Sequence, residues 1–207
     1  MLDLRAPTLP HELGEYLARA DYKRDFRERR VALRNSASWK LERLQHFEEI
    51  GDASRDALRR GDWQGALRLF DARRDALVAS AADDARRGSA FNRLRIVEEP
   101  LTPYVQWELH WLRLSAECGH HVRVLPASAV AASETEGMLP ELTILGGRVL
   151  YRVVYTESGT PDGAMRFTDP ETVGRWAAFI SDAYATADDV RRYFTRVVEP
   201  LPPPQAA

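Results

Sequence analysis

The segment from Arg93 to Pro126 constrains the fold more than any other part of this 207-residue chain, because a helical pattern lies between two strand-like runs. Over residues 102–118, apolar side chains cover most of the circumference of a helix drawn at 100° per residue. A helix that is apolar over so much of its surface is largely buried. Glu108 and Tyr104 fall inside this apolar arc. The sequence therefore predicts a glutamate carboxylate that is removed from water.

Arginines of the neighbouring strands are the predicted partners of that carboxylate. Arg93 and Arg95 alternate with apolar residues in the first strand-like run, and Arg123 does so in the second. Alternation with period two places Arg93 and Arg95 on one face of their strand. An unpaired buried carboxylate would cost on the order of several kcal/mol. We therefore expect Arg95 and Arg123 to converge on Glu108, with Arg152 of a later hairpin as a further candidate.

Three interpretations of this polar cluster remain open. It is a buried network that fixes a helix against a sheet, because such networks arise without any catalysis. Alternatively it is an anion pocket, in which spare guanidinium groups grip a carboxylate or a phosphate. In the third interpretation it is a catalytic site, with Glu108 as acid/base and Tyr104 as proton donor. The candidate ligand-binding residues are Arg93, Arg95, Tyr104, Glu108, Trp111, Arg123 and Arg152.

The first 90 residues predict a mainly helical N-terminal region. Apolar residues at helical spacing favour a helix over residues 12–34. Residues 38–49 fit either a helix or a short strand. Asp52 or Ser54 caps a short helix that ends near Gly61, and Asp62 caps a longer one that runs to about Arg87.

The pattern changes after Gly88 and Ser89, and residues 91–200 predict a second region, an α/β domain with a mixed sheet. Thr102 followed by Pro103 is a favoured helix start, and Gly146-Gly147 is a hairpin signal. The last residues, 201–207, predict a disordered tail. The strands are predicted at 94–97, 121–125, 142–145, 148–155 and 164–167, and the helices at 102–118, at 170–185 and from 188 onward. The predicted fold class is α+β, an α/β sandwich.

Composition excludes several classes of function. The net charge is −2, and the two parts of the chain on either side of residue 90 carry +2 and −4, so neither has a strongly basic nucleic-acid footprint. Cys118 is the single cysteine, and His120 and His121 would point to opposite strand faces, so we expect no metal and no cofactor. No signal peptide and no transmembrane run is evident, which predicts a cytoplasmic protein.

The chain resembles a family of uncharacterised actinobacterial proteins. The resemblance rests on an R-x-R-x-V-x-x-P-L-T-x-Y-x-x-x-E core followed by G-x-x-V-R-V-L, and it extends from about Phe26 to Phe194. Members of that family are commonly encoded beside helix-turn-helix regulators or in specialised-metabolite clusters, and no activity is established for them. The resemblance therefore implies a helix-turn-helix regulator as a possible protein partner. The core residues are Arg93, Arg95, Val97, Pro100, Leu101, Thr102, Tyr104, Glu108, Gly119 and Val122–Leu125.

A fainter similarity is to one half of a phospholipase-D-like α/β domain. There a helix and a G-x-x-V-R-V-L strand precede a strand with an H-x-K motif, which residues 139–155 lack. The similarity thus implies the fold without the phosphodiesterase chemistry of that family.

Together these observations favour a non-enzymatic cytoplasmic protein with a binding or regulatory accessory role. It would use an Arg/Glu/Tyr pocket for an anionic small molecule, or a face of its helical N-terminal part for a protein partner. The alternative is an enzyme of specialised metabolism that acts on a carboxylate- or phosphate-bearing substrate with Glu108 as acid/base. Direct nucleic-acid binding and membrane association are not expected.

Overall fold

The computed structural model describes residues 5–204, and within them eight strands form one mixed sheet. Predictions for residues 1–4 and 205–207, which include the end of the segment predicted to be a disordered tail, lie outside the described residues. The strands are β1 (Gly14–Ala18), β2 (Ala37–Glu42), β3 (Ala90–Val97), β4 (His121–Pro126), β5 (Leu142–Leu145), β6 (Val149–Tyr155), β7 (Pro161–Phe167) and β8 (Asp188–Asp189). The helices are α1 (Arg19–Ala32), α2 (Ala53–Arg59), α3 (Trp63–Asp71), α4 (Arg74–Arg86), α5 (Pro103–Glu117), α6 (Pro170–Thr186) and α7 (Val190–Tyr193).

The strand order across the sheet is β1-β7-β6-β5-β2-β3-β4-β8. The central strands β2, β3 and β4 run parallel, and every other neighbouring pair is antiparallel. Parallel neighbours need a long crossover, which α2, α3 and α4 provide between β2 and β3, and α5 provides between β3 and β4. The predicted α+β class with a mixed sheet is confirmed.

Each face of the sheet carries its own layer of helices. On β3, Arg93 and Arg95 share a face with Val122 and Val124 of β4, and this face packs against α5. Leu94 occupies the opposite face, which packs against α6 through residues such as Trp176 and Ile180. We call these the α5 face and the α6 face. The alternation of side chains along β3 thus assigns the arginines and the aliphatic residues of one strand to different cores.

Predicted capping residues stand where the helices begin. The side chain of Thr102 accepts a hydrogen bond from the Val105 amide at 3.1 Å, with Pro103 at the first helical position. Asp52 accepts from the Ser54 and Arg55 amides, and Asp62 from the Gly65 amide. These bonds satisfy amides that have no partner inside their helix.

The predicted helix over residues 12–34 is wrong in its first part. Residues 14–18 form β1, which pairs antiparallel with β7, and α1 begins only at Arg19. Pairing with β7 supplies the backbone of this segment with hydrogen bonds, and the guanidinium of Arg166 contacts the Glu15 carboxylate across the pair. Tertiary pairing has therefore overridden a short amphipathic pattern. Of the two alternatives for residues 38–49, the strand is correct for Ala37–Glu42.

The single long helix predicted from Asp62 to about Arg87 is two helices. Helix α3 ends at Asp71 and α4 begins at Arg74. At the break, Arg73 reaches back to the α2 cap, where its Nη1 lies 2.8 Å from Asp52 Oδ2. This contact lies at the break between the two helices, and apolar periodicity alone carries no sign of it.

The predicted boundary at residue 90 separates residues that share one sheet. Strands β1 and β2 come from the N-terminal region, and β2 lies between β5 and β3 of the later region. The division of the chain into a helical N-terminal region and a second domain stays a prediction. The described end of the chain contacts the body, because Gln106 Nε2 donates to the Pro202 carbonyl at 2.8 Å.

Arg123 closes the end of α6, and its removal should be measurable. Its Nη1 donates to the carbonyl oxygens of Tyr184 and Ala185 at 3.0 and 3.2 Å. We expect Arg123→Ala to lower the free energy of unfolding by about 1–2 kcal/mol, because a cation satisfies the last carbonyls of a helix. Urea denaturation measures the loss. Arg152→Ala, on the same face but exposed and without an ion pair to any described residue, is the matched control and should stay within about 0.5 kcal/mol. Equal losses for both variants would contradict the capping role.

Candidate functional site

The predicted buried ion pair is present between Arg95 and Glu108. Arg95 Nε lies 2.8 Å from Glu108 Oε2, with side-chain exposures of 0% and 7%. Arg95 Nη1 donates to the Ile96 carbonyl at 3.0 Å and makes a longer contact, 3.4 Å, with the Glu42 carbonyl. The guanidinium also lies over the Phe47 ring, 5.7 Å from its centroid. The whole guanidinium is buried, and its Nη2 has no hydrogen-bond partner among the described residues.

A second buried carboxylate, Glu42, faces the same group of cations. Its Oε1 lies 2.5 Å from Lys40 Nζ, and its Oε2 lies 3.4 Å from Arg93 Nη1. Burial by itself would raise the pKa of Glu42, but Arg93, Lys40 and Arg95 together lower that pKa to about 2. Glu42 therefore stays ionised. The register explains the cluster, because Lys40 and Glu42 of β2 are the partners of Arg93 and Arg95.

The pKa of Glu108 is shifted upward, in the opposite direction from that of Glu42. Burial raises the pKa of its carboxyl above the usual value, and the nearby Arg95 guanidinium offsets only part of this effect. Negative Glu42 adds to the increase. One guanidinium is thus shared between two carboxylates, of which Glu42 also has two other cations.

Tyr104 contributes packing to this region, and its hydroxyl is directed to another acid. The hydroxyl donates to Glu49 Oε1 at 3.1 Å. The ring stacks near Trp107, 5.4 Å between centroids, and the Arg55 guanidinium lies 5.4 Å from the ring centroid. Burial raises the pKa of the Tyr104 hydroxyl. The hydrogen bond of the Tyr104 hydroxyl is therefore made to the part-buried Glu49.

The expected convergence of Arg123 and Arg152 on Glu108 is wrong. Arg123 pairs with Leu94 in the sheet, and Arg152 pairs with Leu142, so both project to the α6 face. The alternation of side chains within each strand was predicted correctly. The sequence does not show which residues of neighbouring strands are paired, so it could not assign the two arginines to a face. Trp111 is on the α5 side, where it packs on Phe70 and under Arg73.

Sequence reasoning missed the buried carboxylate of Glu141. A single oxygen, Oε1, accepts from the Arg43 and Leu44 amides at 2.7 and 2.6 Å. Burial raises the pKa of Glu141 to about 7, and negative Glu42 adds to the increase, although the two amide hydrogen bonds oppose it. The other oxygen is thus available to carry a proton. No local signal marks this residue, because its burial depends on where the chain enters β5.

Glu141 belongs to a segment that is fastened to the end of β2. The guanidinium of Arg43 contacts Glu134 through Nε at 2.7 Å and Nη2 at 3.0 Å. Glu134 also accepts from the Leu139 amide at 2.9 Å. Residues 134–141 are therefore held at both ends, by Glu134 and by Glu141.

An open groove lies on the α6 face, between this segment and the N-terminal arm. Its volume is about 880 Å³, and it is lined by residues 5–9, residues 132–133 and 135–140, Arg152 and Trp176. The indole of Trp176 donates to the Thr8 carbonyl at 3.2 Å, which holds the arm in place. Among the described residues, Arg5 and Arg152 have no acidic partner, although both line the groove. We call it the α6-face groove.

Within residues 5–204, no helix is long and apolar enough to cross a membrane. In the same residues, no group of three or more histidine, cysteine, aspartate or glutamate side chains is arranged to hold a metal ion.

The architecture defines an α+β protein with a mixed eight-stranded sheet over residues 5–204 and a charged cluster buried beneath one helix. The chain belongs to the family described as "Domain of unknown function (DUF6879)", whose model matches residues 24–195. The match covers most of the chain, including the buried pair. No curated protein matches.

One solved structure is similar to this chain at low identity. It is that of TrmBL2, described as an archaeal chromatin protein with a novel mode of DNA binding. The identity is 10% and the TM-score 0.40, and the match covers 88% of this chain. The chain spans about half of that protein, 55% of its length.

Removing one member of the buried pair should destabilise the fold strongly. We expect Arg95→Met to cost about 3–5 kcal/mol in the free energy of unfolding, because it leaves buried carboxylates without their cation. The double variant Arg95→Met/Glu108→Leu should be more stable than Arg95→Met by at least about 1 kcal/mol, because both charges are gone. Arg93→Met, on the same strand and face but partly exposed, should cost less than Arg95→Met. Urea denaturation of Arg95→Met, of Glu108→Leu and of the double variant measures the losses in the free energy of unfolding. A loss in the double variant equal to the sum of the two single losses would contradict the pairing.

Glu141 should make the free energy of unfolding depend on pH. Its pKa is about 7 in the folded protein and about 4.5 when unfolded, so the folded state binds the extra proton between these values. Stability from this group is present below pH 4.5 and decreases as the pH rises towards 7, by up to about 3 kcal/mol. Glu141→Gln keeps the accepting oxygen and should remove this decrease.

The comparison is made between the two proteins at each pH, because burial lowers the pKa values of His110 and His120 and these act in the opposite direction. Urea denaturation from pH 4.5 to pH 8 gives the difference curve. A difference that does not change with pH would refute the buried neutral state of Glu141.

Proposed function

We propose that this protein is a non-enzymatic binding protein whose ligand is a small anion held in the α6-face groove. The observation that carries this proposal is the pair of guanidinium groups, Arg5 and Arg152, that line the groove and have no acidic partner within residues 5–204. Arginines elsewhere, such as Arg43 and Arg166, are engaged by carboxylates. An unpaired arginine in a concave site is suited to grip a carboxylate or a phosphate bidentately.

The shape and lining of the groove support a ligand of metabolite size. Cavities of roughly 300–1,000 Å³ are typical of small-molecule sites, and this one has about 880 Å³. Met138, 55% exposed, provides apolar surface beside the two cations, and the buried Trp176 lies at the wall of the groove. Glu136 adds one carboxylate to the lining, so the groove keeps a net positive charge. We infer a ligand that combines an anionic group with an apolar body.

The buried cluster supports a structural role rather than a ligand site. Arg95 and Glu108 are directed at each other, and the Arg95 side chain has no exposed surface. A substrate could reach Glu108 only by displacing packed side chains such as Phe47. The alternative of an enzyme with Glu108 as acid/base stays a prediction, and no contact of Glu108 favours it.

The regulatory part of the proposal rests on the sequence resemblance alone. That resemblance supplies the actinobacterial origin, the link to specialised metabolism and the helix-turn-helix regulator as partner. A cytoplasmic location and a phospholipase-D-like relationship also stay predictions. In this proposal, binding of the anion would be the signal that the protein passes to its partner.

A thermal-shift titration tests the anion site. Phosphate, citrate and ATP are the probes, and we expect at least one to raise the Tm, because a ligand that binds only the native state stabilises it. Arg152→Ala should abolish the shift while the variant stays folded. Arg148→Ala, an exposed arginine in the turn before β6, is the matched control and should keep the shift. No shift with any probe, or an equal loss in both variants, would contradict the proposal.

A further inference from the structure

A second groove follows one side of α1, on the α5 face of the sheet. It has a volume of about 380 Å³. Two parallel rows of side chains form it, each with residues four apart and therefore aligned along the helix. One row is Tyr22, Phe26 and Arg30, and the other is Lys23, Arg27 and Val31. We call this surface the α1 groove.

The inner row anchors α1 to the sheet. Tyr22 and Phe26 pack on Tyr151 of β6, with centroid distances of 5.2 and 6.0 Å. The Tyr151 hydroxyl donates to Asp25 Oδ2 at 2.5 Å. Helix α1 is therefore firmly placed, although none of its residues is fully buried. A rigid helix that leaves aromatic edges partly open offers a preformed surface.

The outer row combines unpaired cations with an exposed apolar residue. Neither Lys23 nor Arg27 has an acidic partner among the described residues. Val31 is 58% exposed, which is unusual for a β-branched aliphatic residue beside two aromatic rings. Arg30 is engaged, because its guanidinium contacts Asp84 at 2.5 Å and lies over Phe91.

Charge along α1 differs in sign from that of the whole chain. From Arg19 to Ala32, six basic residues stand against three acidic ones, a net charge of +3, while the whole chain carries −2. The α1 groove therefore attracts a negatively charged partner. The apolar surface of Tyr22, Phe26 and Val31 in the groove would pack against aliphatic or aromatic side chains of that partner.

We propose that the α1 groove binds an acidic amphipathic helix of another protein. Such a helix would place apolar residues, spaced three or four apart, on Tyr22, Phe26 and Val31, and carboxylates on Lys23 and Arg27. Duplex nucleic acid fits less well. Its charged backbone would make no favourable contact with Tyr22, Phe26 and Val31, and it binds to surfaces with more cations in line. This surface is on the opposite side of the sheet from the α6-face groove, so the two proposals stand independently.

Fluorescence anisotropy with a labelled synthetic peptide tests the proposal. The probe is a helical peptide of about four turns, with leucines at positions i, i+3, i+4 and i+7 and glutamates elsewhere. A matched peptide carries lysines in place of the glutamates. We expect saturable binding of the acidic peptide only. Lys23→Glu/Arg27→Glu should weaken that binding roughly 10-fold or more, because two attractive contacts become repulsive.

The matched control is Arg175→Glu/Arg192→Glu, which makes the same change in charge at exposed positions of α6 and α7. It should leave the affinity within about twofold of the unchanged protein. Circular dichroism confirms that both double variants are folded.

Several results would overturn the proposal. These are no binding of the acidic peptide, equal binding of the acidic and basic peptides, and equal weakening by both double variants. Tighter binding of a DNA duplex that Lys23→Glu/Arg27→Glu abolishes would assign the surface to nucleic acid instead. Self-association in sedimentation velocity that the same variant abolishes would assign it to a second copy of this chain.

Discussion

The ion pair between Arg95 and Glu108 determines how the rest of the molecule is arranged. It joins the central strand β3 to α5 inside the α5-face core, at a place where both side chains are almost without solvent contact. Breaking a buried ion pair costs about 3–5 kcal/mol, so packings of helix on sheet that separate these two residues are disfavoured. Glu42 adds a second negative charge, and Lys40 and Arg93 compensate it. The cluster therefore favours the observed packing of α5 on the sheet.

This arrangement separates structural charge from charge that is available for binding. On the α5 face, the arginines of β3 are occupied by carboxylates of the same chain. On the α6 face, Arg123 is occupied by the end of α6, but Arg152, beside a large groove, has no acidic partner in the part of the chain that the structure describes. An external anion can therefore bind to exposed arginines such as Arg152, and not to those that are already occupied inside the protein. On this account the buried network provides a rigid base, and the α6-face groove and the α1 groove are the two surfaces proposed for recognition.

Local patterns in the sequence predicted the helix around Glu108, its start at Thr102, and Arg95 as the partner of the buried acid. They succeeded because alternation along one strand and periodicity along one helix are local properties. They could not assign Arg123 and Arg152 to a face, because the pairing between strands depends on contacts that are far apart in the chain. For the same reason β1 was predicted as helix, and Glu141 was missed. The groove combines residues 5–9, residues 132–133 and 135–140, and two side chains of later elements, and only the folded chain brings them together.

The central claim is that Arg95 is a closed structural cation while Arg152 is open to ligands. Nuclear magnetic resonance of protein labelled with ¹⁵N at arginine side chains tests it directly, because each Nε–H reports its own exchange with water. The account predicts an Arg95 Nε–H that is strongly protected from exchange and does not shift as phosphate or citrate is added, while the Arg152 signal exchanges rapidly and shifts. A rapidly exchanging Arg95 signal that moves with added anion, beside an unchanged Arg152 signal, would contradict the account.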